Sequence, residues 1–266
     1  MTLCEEGKRI SKEVSGFIGN VSEVKEESIT DYLMWKWREL NSRLNFIDVS
    51  AFTKEEENKR TGADFELELW LVQRGQAVPL LIQAKKFIKD HDGYCGKLNY
   101  EAHNGRQIDL LLDYASKRSL LPFYLIYSQA DANTNVLCGG GAIDPQRDQT
   151  GLFIASAFDI KKIADGCRNK KTSKNAILSV ANPFSCFFCC PMIMMGGLRK
   201  YIGGYFPSVR EIRNATEFND ENVPQYVRML LSGELPSRER MYGLIRENEL
   251  QRLSKVAVFD MRDVET

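Results

Sequence analysis

The hydrophobic pattern of the first 130 residues switches between helical and strand spacing. Apolar residues recur every three or four positions in residues 22–44 and again in residues 107–119, which predicts two amphipathic helices. Three segments between them are typical of strands, namely residues 45–52, 61–68 and 80–86. Residues 122–127 are aromatic and apolar, which predicts a strand buried on both faces.

The second half of the chain predicts more helix than strand. The segments 151–158 and 255–261 are predicted strands, and the predicted helices are residues 159–167, 223–231 and 236–253. The element order indicates an α/β fold with a mixed central sheet flanked by helices. We expect residues 20–170 to form an α-β-β-β-α-β core and residues 171–266 to form a C-terminal α-rich extension packed on that core.

The amino-acid composition limits which classes of function are expected for this chain. Lys+Arg and Asp+Glu number 36 each, so the net charge is zero and any nucleic-acid binding must come from local basic patches. The cysteine count is odd at seven, and the four cysteines outside the Cys186–Cys190 cluster are scattered. Together with a charged N-terminus, this favours a reducing cytoplasm over a disulfide framework. The most apolar run, residues 183–198, is short and interrupted by proline and glycine, so we expect it to be buried, with no membrane partner.

Two of the predicted strands carry polar groups that an ordinary sheet does not need. In the first, Asp64, Glu66 and Glu68 alternate with apolar residues and are expected to share one face. In the second, Gln83 and Lys85 are expected to share a face. A hairpin would bring an acid, an amide oxygen and an ammonium group together. Oxygen ligands suit a hard divalent cation, and a lysine beside that cation favours metal-assisted phosphodiester hydrolysis.

Four short motifs occur in a fixed order along this part of the chain. They are Glu27-Ser28-Ile29-Thr30-Asp31, Arg60-Thr61-Gly62-Ala63-Asp64, Gln83-Ala84-Lys85 and Gln107-Ile108-Asp109-Leu110. With the predicted element order over residues 20–130, they resemble the PD-(D/E)xK restriction-endonuclease-like superfamily, and within it an uncharacterised bacterial subgroup with a Gln-x-Lys motif. The later Cys186-x-x-Cys189-Cys190 segment fits the same subgroup.

This resemblance implies a nuclease that depends on Mg²⁺ or Mn²⁺ and hydrolyses DNA, with RNA as a second substrate class, in a bacterial antiviral defence setting. It implies that Asp64 and Gln83 bind the metal and that Lys85 steers the attacking water or screens the scissile phosphate. Glu27 would act on the metal through water. Lys86 would contact the nucleic acid, and Tyr100 and Gln107 would either contact the DNA backbone or orient Lys85. A homo-oligomer or a defence-system partner protein is a further implication.

The chain departs from the commonest superfamily pattern at Gln83, where Asp or Glu is usual. A neutral amide oxygen binds a divalent cation more weakly than a carboxylate does. Glu66 is therefore the natural residue to supply the missing carboxylate, since it lies two residues from Asp64 on the predicted face, and Glu68 is the next candidate.

Structural interpretations of the same residues stay open. Asp64 can be a turn residue, and Glu27 can be a first-turn acid favoured by the helix dipole. The polar residues of the two strands can form a solvated face. The neutral Gln83 and the zero net charge leave open a second hypothesis, a catalytically inactive nuclease-fold module that binds nucleic acid or a protein partner. A third hypothesis is a zinc-stabilised interaction protein organised by Cys186, Cys189 and Cys190, although a closed zinc site requires four ligands.

Overall fold

The structure is a computed structural model, and the secondary structure that follows concerns only the residues it describes. These are residues 2–21, 23–39, 44–49, 51, 65–88, 93–102, 105–132, 134–137, 144–167, 172–212, 218–234 and 236–262.

The described residues begin with two helices and end with a strand, with further helices and strands between them. The helices are α1 (Leu3–Asn20), α2 (Glu26–Glu39), α3 (Cys95–Leu98), α4 (Gln107–Arg118), α5 (Ala157–Gly166), α6 (Lys174–Leu178), α7 (Cys186–Cys189), α8 (Pro191–Tyr205), α9 (Gln225–Ser232) and α10 (Arg238–Glu247). The strands are β1 (Leu44–Asp48), β2 (Phe65–Gln73), β3 (Gln76–Phe87), β4 (Glu101–Ala102), β5 (Gly105–Arg106), β6 (Leu121–Ser128), β7 (Leu152–Ser156), β8 (Ala181–Pro183) and β9 (Leu253–Asp260).

Seven strands form one mixed sheet in the order β1-β9-β2-β3-β6-β7-β8. β2 and β3 form an antiparallel hairpin, and β3 and β6 run parallel. The parallel β3–β6 pair needs a crossover connection, which contains α4. The predicted α/β class with a mixed central sheet is therefore confirmed.

Helices cover both faces of the sheet and separate two hydrophobic clusters. The first cluster joins residues of α1, α2, α7 and α8 to one side of the sheet, which we call the α2 face. The second joins residues of α4, α5, α9 and α10 to the other side, which we call the α4 face. In α2 the buried residues Ile29, Leu33 and Trp37 lie on the stripe that faces the sheet, because their spacing follows the helical repeat.

The C-terminal part of the chain does not form a separate extension. β9 lies between β1 and β2, where it pairs antiparallel with the first and parallel with the second. β8 completes the opposite edge of the same sheet. The predicted boundary at residue 170 is therefore not a structural division, since residues on both sides of it build one sheet.

The sequence analysis missed the N-terminal helix α1. Its start carries a capping box, in which the Thr2 side chain accepts a hydrogen bond from the Glu5 amide and the Glu5 side chain accepts one from the Thr2 amide. This Thr-x-x-Glu spacing is a helix-start signal. Small residues such as Gly7 and Ser11 on the buried side of α1 weaken its apolar periodicity, which explains the omission.

Four cysteines form two disulfides, Cys4–Cys189 and Cys95–Cys167. The expectation of reduced cysteines is therefore wrong for these four residues. Sequence spacing gave no sign of either pair, because the partners lie 185 and 72 residues apart. The apolar run beyond Pro183 is largely buried in α7 and α8, as predicted, and no helix in the described ranges is long and apolar enough to cross a bilayer.

Candidate functional site

Gln83 and Lys85 lie on the same face of β3. Their neighbours Ile82 and Ala84 belong to the cluster on the α2 face, so alternation directs Gln83 and Lys85 toward the α4 face. Only 6% of the Gln83 surface and 9% of the Lys85 surface is exposed. The predicted pair is therefore brought together, but it is more shielded from water than the sequence analysis expected.

The side-chain oxygen of Gln83 is a buried acceptor without a donor. Gln83 Nε2 donates to the Ala84 carbonyl at 3.3 Å, whereas Gln83 Oε1 has no hydrogen-bond partner within the described part of the chain. A buried acceptor left unsatisfied costs about 1–3 kcal/mol, so such atoms are rare unless a ligand completes them.

The Lys85 ammonium lies between a carboxylate and an exposed aromatic ring. Lys85 Nζ is 3.7 Å from Glu26 Oε2 and 5.7 Å from the ring centroid of Tyr100. The carboxylate contact is longer than a hydrogen bond, so it is a loose ion pair. Glu26 Oε1 accepts a hydrogen bond from the Lys86 amide at 2.8 Å, which attaches the start of α2 to the end of β3.

Glu66 belongs to a different cluster, on the α2 face. Its carboxylate interacts with Lys255 of β9 and with Thr30 and Asp31 of α2. Lys255 Nζ is 2.8 Å from Asp31 Oδ1. Glu66 Oε1 also has no hydrogen-bond partner among the described residues. Burial raises the pKa of Glu66 to about 7, against the attraction of Lys255. A role for Glu66 as the missing metal carboxylate is not supported by this placement, because Gln83 faces the other way.

Glu68 lies in a third environment, on the α4 face. Its carboxylate accepts hydrogen bonds from Trp70 Nε1 at 2.7 Å, from Arg118 Nη1 at 2.8 Å and from the Tyr226 hydroxyl. The prediction that Glu66 and Glu68 share a face is therefore wrong. The cause is a break in alternation at the start of β2, where Phe65 packs on Tyr114 of the α4 face while Leu67 joins the cluster of the α2 face.

The other predicted contact residues surround the end of β3. The Lys86 ammonium donates to the Val24 carbonyl, and the Gln107 amide, at the start of α4, donates to the Tyr100 carbonyl at 2.9 Å. Glu27 is exposed on α2, where it is an electrostatic neighbour of Glu66. Asp64 and the rest of its motif, residues 60–63, lie outside the described residues, so the role of Asp64 stays a prediction.

The three clustered cysteines do not support a zinc site. Cys189 is bonded to Cys4, and Cys190 Sγ lies 4.0 Å from the Tyr205 hydroxyl. Cys186 is buried in the apolar cluster of the α2 face. The zinc hypothesis is therefore wrong, because one of its three thiolates is already committed to a covalent bond.

Glu26 was not among the predicted site residues, whereas Glu27 was predicted to act on the metal through water. Glu26, and not Glu27, reaches Lys85. The signal was available, because Glu26 precedes Thr30, Leu33 and Trp37 by four, seven and eleven residues and so shares their buried stripe. Lys255 was also missed, since its position beside β2 depends on the long-range pairing of β9.

Within the described ranges, no group of three or more His, Cys, Asp or Glu side chains is arranged to hold a metal ion. Near Lys85, the unsatisfied Gln83 Oε1 is one neutral oxygen of the type that Mg²⁺ and Mn²⁺ accept as a ligand.

Because Glu66 is buried, we expect the free energy of unfolding of the metal-free protein to depend on pH. The pKa of Glu66 is about 7 in the folded state against 4.5 as its ordinary value, so the protonated carboxyl stabilises the fold below pH 4.5 and this contribution is lost as the pH rises through 7. The loss amounts to roughly 3 kcal/mol at about 1.4 kcal/mol per pKa unit. We expect Glu66→Gln to be more stable than wild type at pH 8 and close to it at pH 5, measured by urea unfolding in EDTA.

The matched control for this measurement is Glu234→Gln, which changes an exposed carboxyl after α9 in the same way. It should leave the free energy of unfolding unchanged at both pH values. An identical gap between Glu66→Gln and wild type at pH 5 and pH 8 would show that Glu66 does not titrate as its burial requires.

Comparison with known proteins identifies a family for this chain but indicates no activity. No curated protein and no solved structure matches the chain. One family model matches residues 3–265, nearly the whole chain, and its description is a family of unknown function, DUF6615. The chain therefore belongs to the DUF6615 family.

Proposed function

We propose that this protein is a metal-dependent nuclease that hydrolyses DNA phosphodiester bonds in an active site that contains Gln83 and Lys85. The main support is that one face of β3 carries both a buried oxygen without a hydrogen-bond donor and a buried ammonium that forms only a loose ion pair. Gln83 Oε1 lacks a hydrogen-bond partner among the described residues, and Lys85 Nζ meets Glu26 at 3.7 Å. Both groups are costly to bury unless ligands complete them, a cation for the oxygen and an anion for the ammonium.

The order of elements around these residues supports the same proposal. α2 and β1 precede the hairpin of β2 and β3, and α4 and β6 follow it, which is the α-β-β-β-α-β order once the short elements α3, β4 and β5 are set aside. The resemblance to the PD-(D/E)xK superfamily rests on this order and on the Gln83-Ala84-Lys85 motif. It also motivates the proposed setting, which is bacterial antiviral defence.

Gln83 Oε1 would hold the metal together with Asp64, whose contribution rests on the sequence motif. When bound, Mg²⁺ or Mn²⁺ would supply positive charge to the phosphate and lower the pKa of a coordinated water. Lys85 would bring a second positive charge to the same phosphate, in a shielded site where electrostatic stabilisation is strong. Glu26 is a positioning residue in this scheme, because its carboxylate accepts a hydrogen bond from the end of β3 and places a negative charge 3.7 Å from the Lys85 ammonium.

The proposal is tested by incubating purified protein with labelled single-stranded and duplex DNA and RNA in Mg²⁺, Mn²⁺ or EDTA. We expect cleavage of DNA that requires the divalent metal and is lost in Asp64→Ala. DNA that stays intact in every metal, or cleavage that is unaffected by Asp64→Ala, would refute the assignment. DNA binding without cleavage would favour the inactive nuclease-fold module, for which the neutral Gln83 is the supporting observation.

Restoring a carboxylate at position 83 should strengthen metal binding. Gln83→Glu adds a negative charge to a position that is almost fully buried, so the variant should be less stable than wild type in EDTA and recover in Mg²⁺. The increase in melting temperature caused by Mg²⁺ should be larger than in wild type, since a metal that binds the folded state stabilises it.

Gln225→Glu is the matched control, because it makes the same chemical change at an exposed position of α9. Its response to Mg²⁺ should equal that of wild type. If Gln83→Glu and Gln225→Glu respond identically to Mg²⁺, position 83 does not contact the metal.

A further inference from the structure

Tyr100 presents an exposed aromatic ring beside the buried Lys85. The Tyr100 residue is 57% exposed, whereas Lys85 is 9% exposed. The Lys85 ammonium is 5.7 Å from the Tyr100 ring centroid, within the range of a cation–π contact. Tyr100 therefore places an aromatic ring that solvent reaches directly beside the candidate site, where a ligand held by Lys85 can contact it.

The backbone around Tyr100 is held by hydrogen bonds and ion pairs on both sides. Asn99 Nδ2 donates to the Ala164 carbonyl at 3.0 Å, and Asn99 Oδ1 accepts from Arg106 at 3.0 Å. Arg106 in turn forms ion pairs with Asp109 and Asp165, both at 2.7 Å. This framework fixes the segment that carries the ring, which reduces the entropy lost when a ligand binds to it.

A second anchor lies one helical turn upstream. α3, which directly precedes Asn99, is linked to the end of α5 by the Cys95–Cys167 disulfide. Lys97 of α3 donates to the Lys86 carbonyl at 3.0 Å, so the same segment is also tied to the strand that carries Lys85. The segment that carries the Tyr100 ring is therefore linked to β3, the strand that carries the Lys85 ammonium.

An ammonium group next to an exposed aromatic ring matches two parts of a nucleotide: the ammonium can pair with the phosphate, and the ring can contact the base. In a duplex, neighbouring base pairs cover the faces of each base, so a side chain can stack only on a base that is unpaired or flipped out. We infer that the site takes single-stranded DNA and that the base next to the phosphate at Lys85 stacks on Tyr100. This inference rests on the proposed function, since it names the substrate class of the same site.

The test is a binding measurement that does not depend on turnover. A fluorescein-labelled DNA strand of about 16 nucleotides, alone or annealed to its complement, is titrated with protein in EDTA at fixed salt, and fluorescence anisotropy is recorded. Wild type should bind the single strand more tightly than the duplex. Tyr100→Leu should bind the single strand about tenfold to a hundredfold more weakly, the effect of losing one stacking contact, with little change for the duplex. Tyr100→Phe should bind like wild type, because it keeps the ring.

Three outcomes would overturn the inference: a duplex preference in wild type, equal losses for both DNA forms in Tyr100→Leu, or no loss in that variant. Failure of the proposed function is recognised separately. A protein that binds single strands through Tyr100 but never cleaves them would refute the nuclease assignment and leave the substrate class intact. A protein that cleaves duplex DNA equally well with Leu at position 100 would refute the substrate class alone.

Discussion

Lys85→Met is expected to reduce the rate of DNA cleavage by about a hundredfold to a thousandfold without unfolding the protein. Removal of one preorganised group that stabilises transition-state charge has an effect of this size. Methionine has a similar length and no charge, so it fills the space of the lysine stem. Because Lys85 is 9% exposed and only loosely paired with Glu26, loss of the charge should leave the melting temperature unchanged or higher. Single-turnover cleavage rates and thermal melts measure the two effects.

Lys162→Met is the control for this prediction. Lys162 is an exposed lysine of α5 that pairs with Asp159 within its own helix, so its replacement should change neither rate nor stability. Retention of cleavage in Lys85→Met to within about threefold of wild type would remove Lys85 from the mechanism. A large fall in melting temperature would instead assign Lys85 a structural role.

Arg118→Met is expected to lower the free energy of unfolding by about 3–5 kcal/mol. Arg118 is the cationic partner of Glu68, whose side chain is fully buried, and the two lie 2.8 Å apart. Arg118 also donates to the hydroxyls of Tyr114 and Tyr226, which come from α4 and α9. Removing the guanidinium leaves a buried carboxylate without its counter-charge, a change that typically costs this amount. Urea unfolding followed by circular dichroism measures it.

The neighbouring Lys117→Met is the control, since Lys117 is exposed and its pair with Asp113 lies on the helix surface. Its effect should stay within about 0.5 kcal/mol. The double variant Arg118→Met with Glu68→Gln should regain part of the lost stability, because the unpaired charge is gone. A loss below about 1 kcal/mol in Arg118→Met would mean that Glu68 does not need this partner and that α9 is held to the sheet by other contacts.

The local hydrophobic pattern was sufficient to predict the elements in which it repeats strongly. The predicted helix at 107–119 and the predicted strand at 122–127 correspond closely to α4 and β6. The pairing of strands that are distant in the sequence could not be predicted from that pattern. The strand predicted at 255–261 is β9, but nothing in its own sequence places it between β1 and β2, so the C-terminal region was misassigned as an extension.

The candidate site was predictable only where side chains alternate regularly along one strand. Gln83 and Lys85 share a face because β3 alternates regularly, and the sequence shows this alternation directly. Glu66 and Glu68 do not share a face, because packing of Phe65 on Tyr114 at the start of β2 breaks the alternation. The partners of each acid come from distant segments, Lys255 for Glu66 and Arg118 for Glu68, which no local pattern reveals.

Anomalous X-ray scattering from crystals soaked in Mn²⁺ would test the metal site most directly. We expect a manganese peak within coordination distance of Gln83 Oε1, on the side of β3 that carries Lys85. An absent peak at that oxygen in crystals that take up Mn²⁺ elsewhere, or a peak at Glu66 on the opposite face, would contradict this expectation.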